Sequence, residues 1–217
     1  MAEAVHVTNV DPPVSGFLHQ PASGSGDGIV LTHGAGANCR TPLLVGLAER
    51  ICSAGLWVLR CDLPFRQERA FGPPRGKPDR DQQGLKRALE FLGTRAGGRI
   101  YLGGHSYGGR QGSMLAAAEP ELIAGLLLLS YPLHPPAKPD QMRTAHFQNL
   151  RTPALFVSGT KDEFGTVEEM TAAIKLIPAR TEFFSLEGAG HSLLPKKNPE
   201  ESLDLIANKF REFIAQR

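Results

Sequence analysis

A chain of 217 residues with 41% hydrophobic content suffices for one sizeable core and only marginally for two, so a single domain over residues 1–217 is expected. A formal charge of +2 and a pI near 8.5 lie close to balance and give no ground for nucleic acid or a membrane surface as the main partner. The first residues hold no apolar secretory core, the longest apolar run (122–129) is about a third of a membrane span, and Cys39, Cys52 and Cys61 form no C-x-x-C pair. These features fit a soluble, reduced, cytoplasmic protein better than a disulfide framework, with the cysteines acting as small hydrophobes.

Taken in chain order, residues 5–7 and 16–18 read as an antiparallel hairpin at a sheet edge. Apolar β-rich runs follow at 29–32, 57–61, 100–103, 123–130, 154–157 and 182–186. Helical periodicities separate them: Leu44, Leu47, Ala48 and Ile51 share a face, as do Leu85, Ala88, Leu89 and Leu92. Thr41 before Pro42 and Asn198 before Pro199 read as N-caps with proline at the first helical position. Thr166 with Glu169 reads as a capping box. Leu203, Ile206, Phe210, Phe213 and Ile214 would dock the last helix on the sheet. Strands alternating with helices predict an α/β fold with a mostly parallel central sheet and helices on both faces.

Ligands of such sheets bind beyond the carboxyl ends of the strands, so polar residues just after the predicted strand ends carry the functional signal. Gly104-His105-Ser106-Tyr107-Gly108 follows the run 100–103 and precedes a helical run. This is a strand, a tight turn and a helix with Ser106 at the turn, and small residues at Gly104 and Gly108 let the backbone bend so sharply. The Tyr107 N–H at the helix start points to one oxyanion donor. The tiny-residue loop from Thr32 to Asn38 offers Ala35 as a second, with Gly36 close by. Asp162 follows the run 154–157, and His191 follows the run 182–186.

A serine hydroxyl attacks at neutral pH only when a base takes its proton, and a neutral imidazole suits that task, which assigns His191. A carboxylate fixes the imidazole tautomer and stabilises the imidazolium, which assigns Asp162, although adjacent Glu163 is a possible substitute. The order Ser106, Asp162, His191 has spacings of 56 and 29 residues. His33 reads as a brace of the oxyanion loop and His105 as a group packed beneath Ser106, while His6, His19 and His146 have no motif around them.

On these residues the chain resembles the α/β-hydrolase superfamily. His33-Gly34 matches the oxyanion loop, Gly104 to Gly108 the nucleophile elbow, and Asp162 and His191 the acid and base. Thr32 to Ala35, Ser130 to His134 and Pro153 to Gly159 resemble, more narrowly, a dienelactone-hydrolase-like branch that includes a testis-expressed protein and a subunit of a chromatin acetyltransferase complex. The resemblance implies a serine esterase that works through an acyl-enzyme on a small acyl substrate, without metal or cofactor. Dienelactone hydrolases carry a cysteine at the elbow where this chain has Ser106, so their lactone substrate is not implied.

Many hydrolases of this fold insert a helical lid after the strand corresponding to 123–130. Here residues 131–151 allow only a short helix and a proline-rich loop, so no full lid and an open, shallow site are expected. The loop 63–80 holds Arg66, Arg69, Arg75, Lys77 and Arg80 against Glu68 and Asp79, a local excess of three positive charges. It reads either as a solvated basic loop or as a site drawing an anionic substrate to Arg66 or Arg69. His134, after the run 123–130, is a further substrate-binding candidate. Two functional classes remain: a serine hydrolase, or a binding or scaffold protein that keeps the fold and a relic triad. The sequence leaves substrate identity and oligomeric state open.

Overall fold

A computed structural model describes residues 2–75 and 78–216. Eight strands form one sheet: β1 (Ala2–Val7), β2 (Val14–His19), β3 (Gly28–Thr32), β4 (Trp57–Cys61), β5 (Ile100–His105), β6 (Gly125–Leu129), β7 (Ala154–Gly159) and β8 (Thr181–Leu186). Their spatial order is β1-β2-β4-β3-β5-β6-β7-β8. The expected hairpin is present: β1 pairs antiparallel with β2, and β2 antiparallel with β4, while every pair from β4 to β8 is parallel. The helices are α1 (Pro42–Ser53), α2 (Pro64–Glu68), α3 (Pro78–Gly93), α4 (Tyr107–Ala118), α5 (Val167–Ala173) and α6 (Pro199–Ala215).

Side chains alternate across the strands and build two cores. Val30, Leu102, Leu126, Leu128 and Phe156 face Leu85, Leu89 and Leu92 of α3, Leu115 of α4 and Met170 of α5. Ile29, Leu31, Leu127, Leu129, Leu155 and Val157 face Leu44, Leu47 and Ile51 of α1 and Leu203, Ile206, Phe210 and Phe213 of α6. A parallel strand covered on both faces is apolar at every position, which is why Gly125–Leu129 and Ala154–Gly159 are buried throughout.

Three expectations are corrected. The sixth strand spans Gly125–Leu129 rather than 123–130: a 3-10 turn (Pro120–Leu122) precedes it, and Ser130 turns out of the strand with φ +46°. The loop expected over 63–80 contains α2, and α3 begins already at Pro78, proline serving as the first helical residue of both. Lys77 of that loop lies outside the described residues. In the segment after β6, the helix expected within 131–151 is a single 3-10 turn (Phe147–Asn149), and Tyr131, Leu133, Phe147 and Leu150 are buried instead of forming a cap. Among the described residues no helical lid follows β6, and no helix is long and apolar enough to cross a membrane. All three cysteines are free, with Cys39 and Cys61 buried.

The caps fall where expected but differ in chemistry. Thr166 Oγ1 accepts from the Glu169 N–H and the Glu169 carboxylate accepts from the Thr166 N–H, closing a capping box. Thr41 and Asn198 precede their prolines without a side-chain cap bond, Asn198 adopting the left-handed conformation that asparagine tolerates. Thr166→Ala is therefore expected to lower stability by about 1 kcal/mol and Thr41→Ala by a few tenths. Denaturant unfolding of both variants checks this; equal losses would remove the distinction.

Candidate functional site

The register of the parallel strands gathers the loops at one edge. Thr32 at the end of β3 lies beside Gly104 of β5, Leu129 of β6 beside Val157 of β7, and Gly159 of β7 beside Leu186 of β8. The loop 32–38, the turn at Ser106, the Asp162 turn and the His191 turn thus leave the sheet together.

At the elbow Ser106 has φ +50° and ψ −115°, a backbone state that L-residues avoid and that costs on the order of 1–3 kcal/mol. It is held by the Ser106 N–H donating to the Leu129 carbonyl at 2.8 Å and the Arg110 N–H donating to the Ser106 carbonyl at 3.0 Å. Glycine is required around it because the chain doubles back: a Cβ on Gly108 would lie 2.5 Å from the His33 carbonyl oxygen and 2.6 Å from Thr32 Cγ2. The Ser106 Oγ is 2.9 Å from His191 Nε2, and His191 Nδ1 is 2.9 and 3.0 Å from the two Asp162 carboxylate oxygens. The contacts read consistently as Nδ1–H donating to Asp162 and Nε2 accepting from the serine hydroxyl. The Asp162 side chain is 2% exposed, and Oδ1 also accepts from the Phe164 N–H at 3.0 Å. The Phe164 ring lies over the His191 imidazole with centroids 4.2 Å apart. Glu163 has no part in these contacts.

Ala35 and Tyr107 line a cleft of about 330 Å³ with Ser106, Arg110, Pro132, Arg143 and Phe164. Neither the Ala35 nor the Tyr107 N–H has a protein acceptor among the described residues, which leaves both for a ligand oxygen. Gly36, by contrast, is exposed with open space around it and does not line the cleft.

Two substrate-binding candidates are corrected. The buried Arg66 guanidinium donates to the carbonyls of Ala37 (2.7 Å), Ala35 (2.9 Å), Gly72 (2.9 Å) and Arg69 (3.1 Å), so it braces the oxyanion loop and has no face for a substrate. His134 is also buried, with Nδ1 2.8 Å from the Pro135 carbonyl and Nε2 3.2 Å from Glu169, and does not line the cleft. The Pro135 carbonyl foremost, and the Glu169 carboxylate after it, raise its pKa above the ordinary imidazole range. Arg69 and Arg75 are exposed away from the cleft, and Arg80 pairs with Asp11 and Glu68.

Other buried polar groups hold the frame. His33 donates from Nδ1 to the Gly34 carbonyl at 2.8 Å and accepts at Nε2 from the Leu63 N–H at 3.1 Å; burial lowers its pKa, so its 3.5 Å approach to Asp62 is not an ion pair. His105 donates from Nε2 to the His191 carbonyl at 2.8 Å, and burial lowers its pKa to about 4, so it stays neutral while fixing the His191 main chain. The Tyr107 hydroxyl donates to the buried carboxylate of Asp81 at 2.7 Å, whose other oxygen accepts from the Phe65 N–H at 3.2 Å; burial raises the Asp81 pKa. Asp81, Phe164, Arg110 and Arg143 were missed by sequence reasoning. Arg110 had a usable signal, four residues after Ser106 and hence on the same helix face. Asp81 and Arg143 come from remote segments and had none.

A sequence model of the α/β hydrolase domain matches residues 26–216. Among solved structures, dienelactone hydrolase from Anabaena variabilis superposes with a TM-score of 0.79 at 20% identity, covering 98% of this chain and 97% of that one. An α/β serine hydrolase homologue from Coxiella burnetii gives 0.76 at 19%, covering 95% and 96%. A lidless α/β serine hydrolase from Xanthomonas campestris gives 0.75 at 15%, covering 98% and 94%. At these identities the structures establish the shared fold.

Removing the Arg66 guanidinium leaves four carbonyls without their donor. Arg66→Met is therefore expected to lower stability by about 2–4 kcal/mol, or roughly 2–4 °C in Tm for each kcal/mol. Calorimetry on the variant tests it; an unchanged Tm would mean that the loop is held by other contacts.

Proposed function

The chain belongs to the α/β-hydrolase domain family, and from that premise we propose that it is a serine hydrolase cleaving an ester or related acyl bond through Ser106, His191 and Asp162. The reading rests chiefly on the continuous hydrogen-bonded path from Ser106 Oγ to His191 Nε2 and from His191 Nδ1 to Asp162, each link 2.9–3.0 Å long. A nucleophile in contact with a base, and that base oriented by a third group, is the arrangement acyl transfer requires.

In acylation His191 Nε2 takes the Ser106 proton as Oγ attacks the carbonyl carbon. The carbonyl oxygen becomes an alkoxide facing the N–H groups of Ala35 and Tyr107, which stabilise charge that develops only in the transition state. Asp162 stabilises the imidazolium by accepting from Nδ1–H. Collapse breaks the bond to the leaving oxygen, which receives the proton from His191. In deacylation His191 Nε2 takes a proton from water as the water oxygen attacks the acyl carbon, and collapse breaks the bond to Ser106 Oγ, which receives the proton from His191 and leaves a free acid. His105, Asp81 and Arg66 act by holding His191, Tyr107 and Ala35 where these steps need them.

Ser106→Ala is expected to lower turnover of a responsive ester by about a thousandfold or more and to abolish labelling by a fluorophosphonate probe, because nucleophile and base act as a unit. Asp162→Asn, which accommodates the wrong imidazole tautomer, is expected to cost a similar factor. Turnover unchanged in Ser106→Ala would overturn the assignment. A folded wild type that no probe labels would return the chain to the binding or scaffold class.

A further inference from the structure

The described residues that line the cleft beside Ser106 include two arginines and no acid. Arg110 stands one helical turn along α4 from Ser106, on the order of 6 Å of axial rise. Arg143 comes from the segment after β6, where its N–H donates to the Leu133 carbonyl at 2.8 Å and its carbonyl accepts from the Tyr131 hydroxyl at 2.6 Å. Both side chains line the cleft. Among the described residues the Arg110 Nε is buried without a hydrogen-bond partner, and the one side-chain bond of Arg143 is a long contact of 3.4 Å to the Pro132 carbonyl.

Among the described residues the titratable groups packed against the pair are neutral. Burial, with Arg110 adding to it, lowers the His146 pKa to about 4, so His146 is neutral; its Nε2–H donates to Ser113 Oγ, which donates in turn to the Arg110 carbonyl. Burial raises the Tyr131 pKa, so its hydroxyl stays protonated. Among the described residues three acids of this end of the molecule are engaged elsewhere: Asp162 with His191, Asp81 with Tyr107 and the Phe65 N–H, Glu169 with His134 and the Thr166 N–H; Asp140 and Glu163 are exposed and do not line the cleft. Burial first, and the charge of Arg110 second, lower the Arg143 pKa. Two guanidinium groups brought together without an anionic partner oppose folding, whereas an anion bound between them would relieve both the repulsion and the unpaired donor. A larger depression, of about 530 Å³ at the opposite ends of the strands, offers a contrast: its Arg99 is already paired with Asp27 at 2.9 Å.

We propose that the substrate carries a carboxylate on its acyl portion, bound by the guanidinium groups of Arg110 and Arg143 while Ser106 attacks the ester carbonyl. The proposal rests on the serine hydrolase reading above and names its substrate class: monoesters of short dicarboxylic acids, whose planar carboxylate matches the guanidinium fork. The leaving oxygen must sit within reach of His191, which does not line the cleft, so the arginines face the acyl side. The cleft volume, at the small end of the roughly 300–1,000 Å³ range of ligand sites, suits a chain of a few carbons.

The test compares 4-nitrophenyl hydrogen glutarate with its uncharged methyl-capped counterpart. Wild type is expected to favour the acid by about tenfold or more in kcat/KM, and added salt should reduce that ratio. Arg110→Gln and Arg143→Gln should bring the ratio, read within each variant, close to one, and Arg143→Lys should keep part of it. A wild-type ratio near one, or a ratio unchanged in both glutamine variants, overturns the proposal. A preference appearing only for a carboxylate on the alcohol side, as in 4-acetoxybenzoate against its methyl ester, overturns the acyl placement.

Calorimetric titration of glutarate into Ser106→Ala separates the two readings. Binding that Arg143→Gln weakens about tenfold or more supports the arginine site even if no ester is cleaved, in which case only the hydrolase reading falls. No heat from glutarate at millimolar concentrations overturns the site.

Discussion

The chain doubles back on itself where β5 passes into α4, and the site depends on that close crossing. Gly108 sits against the His33 carbonyl and Thr32, leaving no room for a side chain. Because β3 and β5 pair in parallel with Thr32 beside Gly104, the loop 32–38 and the turn at Ser106 are forced into contact. The unfavourable backbone state of Ser106 is held in that crossing by main-chain bonds to Leu129 and Arg110. The strain is local, while the contacts that maintain it are distributed over three strands and a helix. A core covered on both faces of the sheet stabilises such a turn as a more open fold could not.

Around this crossing, buried polar groups act as props. Arg66 collects four carbonyls of the loop and its surroundings, His33 joins Gly34 to Leu63, His105 anchors the His191 main chain, and Asp81 holds the Tyr107 ring from beneath. Each is satisfied by a specific partner, as burial of a polar group demands. Arg110 and Arg143 break that pattern: they share the cleft with Ser106 and lack counter-ions among the described residues. These arginines beside Ser106 are the observation on which the proposed anion site rests.

Much of the architecture was legible because its causes are local. Strand runs such as 29–32 and 154–157 are continuous stretches of apolar and β-branched residues, and Thr166 with Glu169 announces its helix by chemistry confined to four positions. Errors arose where a local signal had two outcomes. The arginine-rich stretch 63–80 reads as a solvated loop because it is polar, yet Pro64 and Pro78 each begin a helix. Arg66 reads as a substrate ligand because it is charged and close to a strand end. Whether a guanidinium faces solvent, ligand or carbonyls depends on chain segments about thirty residues away.

The sequence by itself determined the alternation of strands and helices, the sharp turn at Ser106 and the chain order of serine, aspartate and histidine. All three follow from side-chain volume, backbone freedom and periodicity within short windows. Only the tertiary structure decided which residues meet: that His191 reaches Ser106 across 85 positions, that Arg66 turns inward, and that Arg110 and Arg143 converge on one cleft. The physical reason is that strand order and register, set by the packing of two cores against a single sheet, control distances between residues remote in the chain, and no short window of sequence contains that information.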